Sequence, residues 1–400
     1  MSRIGIFGGT FAPFHKGHEQ ALKSFLNLAE IDLCLVIPAG TPPHKTKTQM
    51  FTDRQRLEMT QRACDGIEGV TVSDFELQKE SKSYTYQTLG WLKEQYPDDT
   101  LILYVGSDML LTLQQWVRPE EIFALAEIAA FSRTGTDLTE LKNHASALEK
   151  TFPGARITVY REPPFAVSST EIREKWERGE DLSDLIPEGV NEYLTLLRYE
   201  NFLRSHLSEH RLNHSLGVMK EAEALAEIHG ADVKKARIAG LLHDMTKEYP
   251  KEEHFRLFEK YSVDLDENLK TNKNLWHAVS ASVAITEVFG ITDPEIASAI
   301  RFHTTGKATM SLLEAILYIA DLTDETRDYD DVDFYRALAR ENVEKAVLIA
   351  LRWCKNDVEE RGLNVHKDMI DAIAWLTEKY PHITEETEKT RMKYPMKGSL

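Results

Sequence analysis

The period of the apolar positions changes half-way along the chain. In the first half, short apolar runs recur at Ile4–Phe7, Leu33–Ile37, Val70–Ser73, Leu101–Val105, Ile128–Phe131 and Ile157–Tyr160, and these read as strands. Amphipathic stretches such as Glu19–Leu28, Arg54–Cys64 and Tyr86–Gln95 lie between them and read as helices. This alternation predicts βαβ units: an α/β domain with a parallel sheet and helices on both faces. Ligands of such sheets bind beyond the carboxyl ends of the strands.

From about residue 188 the β-rich runs stop, and helical periodicity holds to about residue 380. Ser215–His229, Ala231–His243, His277–Phe289, Pro294–Arg301, Leu312–Asp321 and Asn342–Lys355 read as helices of an all-α second domain. The boundary is expected near Leu196–Asn201, giving domains at 1–197 and 198–385 and a polar, frayed tail at 386–400. No Gly/Ser/Pro-rich linker separates the halves, so a short helical junction and a fixed or semi-fixed pose are expected.

Composition narrows the partners. Four hundred residues suffice for two cores, and 42% hydrophobic with 28% charged residues fits a soluble globular chain. A formal net charge of -17 argues against nucleic acid and anionic membranes as partners, although local basic phosphate sites stay open. Cys34, Cys64 and Cys354 are scattered, with no C-x-x-C, which points to a reducing compartment. No signal peptide or membrane-length apolar run is read, so the cytoplasm is the expected location. The oligomeric state is open, a homo-oligomer included.

Two sets of residues carry chemistry. GGTFAPFHKGH (8–18) follows the first strand and runs into a helix. Gly8 and Gly9 allow a tight turn close to a nucleotide, and exposed N–H groups there favour phosphate. His15 and His18, three apart, can reach the same phosphate chain. VSSTEIR (167–173) opens a later helix: Ser168, Ser169 and Thr170 supply donors, and Arg173 lies one turn in. A glycine pair alone is an ordinary turn and Ser-Ser-Thr alone an ordinary cap; together with H-x-G-H they read as two phosphate cradles.

The second set is His214, His243-Asp244 and Asp321, each near a helix end in an apolar run. Imidazole and carboxylate ligands from three helices suit a divalent ion, Fe first, with Mn or Zn as alternatives. His277 and His303 extend the set.

The first set resembles the nucleotidylyltransferase superfamily with H-x-G-H and S-S-T-x-x-R signatures. TPPHK (41–45), SYTYQTL (83–89), VGSDMLLTLQQW (105–116) and FSR (131–133) resemble bacterial nicotinate-mononucleotide adenylyltransferase, over residues 1–197. One departure is Ala12, where the family usually has Asp. The resemblance implies a Rossmann-like domain that joins ATP and nicotinate mononucleotide, with Mg²⁺ bridging the polyphosphate, to give deamido-NAD and pyrophosphate. The acceptor phosphate is already ionised, so catalysis is positioning and charge neutralisation without a general base. His15 and His18 would carry it, and Lys45 and Arg173 would hold phosphate. Adenosine would lie against the loop Gly8, Gly9, Thr10, Phe11, with Asp108 and Arg133. The pyridine would lie near Thr85 and Trp116. Asp108 as a helix cap and Trp116 as a core side chain are the competing readings. Nicotinamide mononucleotide is the nearest rival acceptor; a phosphopantetheine adenylyltransferase lacks support from PPHK and SYTYQTL.

The second set, with HDMTKE, RFHTTG and ADLTDETRDY, resembles the HD-domain superfamily and within it the YqeK type, over about residues 200–385. That type resembles symmetrical hydrolases of diadenosine tetraphosphate, which yield two ADP. Carried over, His214, His243, Asp244 and Asp321 are the metal ligands. Lys247, His277, His303, Thr304 and Arg327 would face the polyphosphate. A dinuclear centre using His277 and His303 is the alternative, and Lys247 and Arg327 as plain surface charges is another. A different nucleotide phosphohydrolase and a non-catalytic nucleotide sensor also stay open.

Overall fold

The computed structural model describes residues 1–40, 50–79, 83–132, 138–161 and 167–383. Lys45, Arg133 and the TPPHK segment lie outside the described residues. The chain forms two compact units, Met1–Thr195 and Leu196–Leu400.

The first unit is built on six strands: β1 Arg3–Gly9, β2 Leu33–Pro38, β3 Val70–Val72, β4 Thr100–Gly106, β5 Ala126–Ser132 and β6 Ile157–Arg161. They are the six apolar runs of the sequence. All pair in parallel, in the order β3-β2-β1-β4-β5-β6. Helices α1 Lys16–Leu28, α2 Asp53–Cys64, α3 Thr85–Gln95, α4 Ser107–Thr112, α5 Pro119–Leu125, α6 Leu138–Thr151 and α7 Ser169–Glu177 connect or follow them.

Both faces of the central strands are covered, which is why β1, β4 and β5 read as near-continuous apolar runs. On one face Ile4, Ile6, Leu103, Val105 and Ile128 join a single apolar cluster. On the other, Phe7, Tyr104, Phe131 and Tyr160 form a row of rings across β1, β4, β5 and β6, with centroids 4.6, 5.0 and 5.0 Å apart. Phe25 of α1 packs edge-on against Tyr104 and Phe131. The chain starts in mid-sheet, steps outward to β3, then returns beside β1 as β4. The order therefore reverses between β1 and β4, and the carboxyl ends of these strands, at Gly9 and Gly106, open at that crevice.

Helix α8, Glu188–His206, contains the division between the units. The second unit is helical: α9 Glu209–His229, α10 Val233–Leu242, α11 Lys251–Lys260, α12 Glu267–Thr271, α13 Trp276–Phe289, α14 Pro294–Phe302, α15 Leu312–Thr323, α16 Val332–Glu341, α17 Val343–Glu360 and α18 Lys367–Lys379. α15 is central to its core: Ile316, Leu317, Ile319 and Ala320 are all fully buried. Its start is fixed by a Ser311–Glu314 capping box. α9 begins at Glu209, so His214 lies in its second turn rather than at its start. The described residues contain no helix long and apolar enough to cross a membrane.

Candidate active sites

In the first unit, the loop after β1 carries Gly8, Gly9, Thr10 and Phe11 toward α1. His15 caps that helix: its Nδ1 accepts from the His18 backbone N–H at 3.2 Å, and His18 Nδ1 accepts from the His15 N–H at 3.2 Å. The two rings stack with centroids 3.6 Å apart. Because both Nδ1 atoms accept, both neutral rings carry their proton on Nε2. Nε2–H donors beside a helix N-terminus suit phosphate oxygens. A Cβ on Gly17 would crowd this cap, lying 3.0 Å from His15 Nδ1 and 3.2 Å from Val167.

The second cradle docks onto the same loop. Ser168 caps α7 by accepting from the Glu171 N–H at 3.1 Å. Ser169 Oγ donates to the Pro13 carbonyl at 3.3 Å. Arg173 donates to the Ala12 carbonyl at 2.8 Å and to Thr170 Oγ1 at 2.9 Å. The guanidinium expected to hold phosphate is thus also the tie between the two motifs. Thr85 is the first residue of α3. Asp108 does not cap α4: Gly106 is the N-cap and Asp108 stands exposed in the first turn, because the strand hands directly into the helix at Gly106. Trp116 is half-buried, packed on the apolar cluster along part of its surface.

In the second unit, three helices bring the four expected ligands together, and two more add His277 and His303. His214 projects from α9, His243 closes α10 with Asp244 after it, and Asp321 lies in the last turn of α15. His277 opens α13 and His303 closes α14. His214 Nε2 lies 2.9 Å from Asp321 Oδ1, and His243 Nε2 lies 3.8 and 3.9 Å from Asp244 Oδ2 and Asp321 Oδ1. His277 Nε2 lies 3.2 Å from Asp244 Oδ1 and 3.2 Å from His303 Nε2. The Nδ1 atoms of His243 and His303 each donate to a carbonyl, Gly240 and Ile300, at 2.7 Å. That leaves their Nε2 lone pairs pointing inward, as metal ligation requires.

These residues fit a divalent ion. His243 Nε2 is buried without a hydrogen-bond partner among the described residues. Ligand atoms of His214, His243 and Asp244 converge within 4.8 Å, as do those of His243, His303 and Asp321, and of Asp244, His277 and His303. Burial pushes the His243 and His277 imidazoles down and His303 to about 4, so all three stay neutral. Burial works against ionisation of Asp244 and Asp321, but His243 and Lys247 beside the first, and Arg327 and His214 beside the second, hold both carboxyls well below the usual range.

Lys247 Nζ lies 3.0 Å from His277 Nε2 and 3.5 Å from Asp244 Oδ1. Arg327 donates to Asp321 Oδ1 at 2.7 Å and to its carbonyl at 2.8 Å. Thr304 Oγ1 is buried without a hydrogen-bond partner among the described residues. All three line one cleft with Asp244, His277, His303 and Asp321, of about 150 Å³.

Residues 6–175 match the cytidylyltransferase-like family, and residues 211–326 match the HD domain family. A probable nicotinate-nucleotide adenylyltransferase of Clostridium tetani is 36% identical over 189 residues, spanning 47% of this chain and 94% of that protein. The chain belongs, through its first half, to the nicotinate-nucleotide adenylyltransferase family. A second such relative, from a Shewanella species, is 36% identical over 202 residues and spans 47% of this chain and 95% of its own. A predicted HD superfamily hydrolase involved in NAD metabolism from Clostridium acetobutylicum, solved as a crystal structure, is 36% identical; it covers 46% of this chain and 97% of its own, with a TM-score of 0.45. The nicotinic acid mononucleotide adenylyltransferase of Plasmodium falciparum is 21% identical, covers 50% of this chain and 96% of its own, and has a TM-score of 0.40.

Three supporting residues escaped the sequence reading. In the adenylyltransferase-family half, Arg56 is fully buried and donates to the Thr10 carbonyl at 2.7 Å, the Ala39 carbonyl at 2.8 Å and Asp53 Oδ1 at 2.7 Å. It ties the glycine loop to the end of β2. In the HD domain, Asp324 Oδ2 lies 3.2 Å from His214 Nδ1, and Arg211 lies 3.4 Å from Asp244 Oδ2. The Asp321–Asp324 spacing of three on one helix end was the available signal for Asp324.

Proposed function

We propose that this is a bifunctional enzyme with domains at about 1–197 and 198–385. The first transfers an adenylyl group from ATP to nicotinate mononucleotide, giving deamido-NAD and pyrophosphate. The second hydrolyses diadenosine tetraphosphate symmetrically to two ADP with a divalent ion.

The activity named for the 36% identical relatives supports the first half. An ionised oxygen of the acceptor phosphate bonds to the α-phosphorus of ATP as the α–β bridge breaks and pyrophosphate leaves. No proton has to be removed from the nucleophile. The Nε2–H groups of His15 and His18 then offer donors to charge on the transferred phosphoryl group. Gly8, Gly9, Thr10, Phe11, Asp108 and Arg133 take adenosine, Thr85 and Trp116 the pyridine, and Lys45, Arg173 and Ser168–Thr170 the phosphates. Mg²⁺ enters with ATP.

The observation that carries the second half is the convergence of ligand atoms of His214, His243, Asp244 and Asp321, of which Asp244 and Asp321 line a cleft walled by cations. These four would hold the ion, Fe first, Mn or Zn as alternatives. Such an ion supplies Lewis acidity toward a phosphoryl oxygen. Hydrolysis adds water across the central P–O–P bridge, and each half leaves as ADP. Lys247, Arg211 and Arg327 offset charge on the phosphates, and the Thr304 hydroxyl, without a hydrogen-bond partner among the described residues, is a donor to them.

The test is an activity panel on the full chain. Nicotinate mononucleotide should be adenylated in preference to nicotinamide mononucleotide, and diadenosine tetraphosphate should give ADP alone. Tight binding without ADP release would make the HD domain a nucleotide sensor. Turnover of mononucleotides instead would make it a different phosphohydrolase.

A further inference from the structure

In the adenylyltransferase-family half, the peptide Ala39–Gly40, where the chain leaves β2, is held at both polar ends. Arg56 donates to its carbonyl at 2.8 Å, and Glu76 Oε2 accepts from its N–H at 3.3 Å. The other oxygen of the same carboxylate, Oε1, accepts from the Thr88 hydroxyl of α3 at 2.8 Å. We infer that Glu76 is a positioning residue for the acceptor: it fixes the first turn of α3, and with it Thr85, against the end of β2. This rests on the reading of Thr85 as a neighbour of the pyridine ring.

Three observations carry it. First, the start of α3 lacks a side-chain cap. Tyr84 is the N-cap residue and its side chain makes no capping hydrogen bond, so the position of the first turn depends on ties to other segments. Thr88 follows Thr85 by three residues, lies on the same side of the helix and is buried. Its bond to Glu76 therefore sets the rotation of the turn that presents Thr85. Ser83, just before the helix, donates to the Glu76 carbonyl at 3.4 Å, so the backbone of Glu76 holds the helix start as well.

Second, the three segments meet closely. A Cβ on Gly40 would lie 2.7 Å from the Glu76 carbonyl oxygen and 3.0 Å from Ser83 Oγ. Glycine at this position lets the end of β2, the turn at Glu76 and the start of α3 approach one another.

Third, the turn that carries Glu76 has anchors of its own. Phe75 stacks on Trp91 of α3 with centroids 3.8 Å apart, and the Ser73 N–H donates to the Val36 carbonyl at 3.0 Å. Removing the carboxylate thus leaves the turn in place and releases Gly40 and Thr88. Arg56 still holds the Ala39 carbonyl, and the Ala39 N–H still donates to the Gly9 carbonyl at 2.8 Å. The two ties divide between the substrates: Arg56 reaches Thr10 in the glycine loop, and Glu76 reaches α3.

The test is steady-state adenylyl transfer by the full chain, with ATP and nicotinate mononucleotide varied separately and the unfolding midpoint of each variant measured alongside. Glu76→Ala should raise KM for nicotinate mononucleotide by about tenfold and leave KM for ATP within about twofold. Thr88→Val removes one tie and should raise the same KM by less, while Thr88→Ser keeps the hydroxyl and should match the unaltered chain. Glu76→Ala combined with Thr88→Val should be no worse than Glu76→Ala alone, because the two residues share one bond. An unchanged KM for nicotinate mononucleotide in Glu76→Ala, or an equal rise in both KM values, overturns the inference. If Glu76→Ala does not fold, the Thr88 pair decides, and a Thr88→Ser chain as impaired as Thr88→Val overturns it. Thr85→Val judges the placement of the ring separately. An unchanged KM there sinks that placement, whereas a raised one beside an unaltered Glu76→Ala sinks this inference alone.

Discussion

Asp324 Oδ2 stands 3.2 Å from His214 Nδ1, on the side of the ring opposite Asp321. Asp324 is fully buried and donates nothing to the cleft, so its effect runs through the imidazole, whose orientation and tautomer it sets. Asp324→Asn should therefore weaken metal affinity by about 10–100-fold, read by competition with a fluorescent chelator, while leaving adenylyl transfer unchanged. Gly217→Ala should act in the same direction, because its Cβ would sit 2.7 Å from Asp324 Oδ1 and push the carboxylate away.

The reciprocal cap of His15 and His18 gives the two rings separable roles. His18→Ala should lower kcat for adenylyl transfer by about 10²–10³-fold, the cost of one preorganised donor. His15→Ala should add a loss of about 1 kcal/mol from the α1 cap, seen in the unfolding midpoint. Hydrolysis of diadenosine tetraphosphate should be unaffected by either; a parallel loss there would mean the variants damage the whole chain.

Arg56 holds the glycine loop from beneath. Arg56→Met leaves the buried carbonyls of Thr10 and Ala39 without this donor, at about 1–3 kcal/mol for each unsatisfied group. KM for ATP should rise and thermal stability of the first unit should fall. Stability lost with KM intact would separate the scaffold from the loop.

His254 gives a pH test away from the ligands. Burial pushes its imidazole below the ordinary 6.5, and its Nδ1 lies 2.7 Å from Ser280 Oγ. The unfolded chain then binds this proton more readily, so the contribution to stability is complete above pH 6.5 and is lost as pH falls below it. Melting temperature of the metal-loaded protein should drop from about pH 8 to about pH 5.5, and His254→Gln should flatten that slope. An identical slope in the variant would assign the dependence to other groups.

What the sequence made legible follows from how local each signal is. The strands are apolar because both faces of the sheet are covered, and that shows in a window of five residues at Leu101–Val105 as in the structure. The start of α9 was misplaced because Glu209–Asn213 is polar except for the buried Leu212, which leaves no periodic stretch to recognise. Asp108 failed as a cap by two positions, a matter of where β4 ends. Arg56 reads as a solvent-facing charge on an amphipathic helix; only the approach of two loops from other parts of the sheet buries it. Asp324 likewise gains its partner only when α9 and α15 meet across Gly217.

The shared position of Asp244 has a practical consequence for dissecting the HD domain. Its two oxygens face different neighbours: Oδ1 lies near His277, His303 and Lys247, while Oδ2 lies near His243 and Arg211. Replacing Asp244 removes a ligand atom from two of the three converging groups together and distinguishes neither. His214 and His277 each belong to one group alone, so they are the two independent handles by which the two sides of the cluster can be varied one at a time.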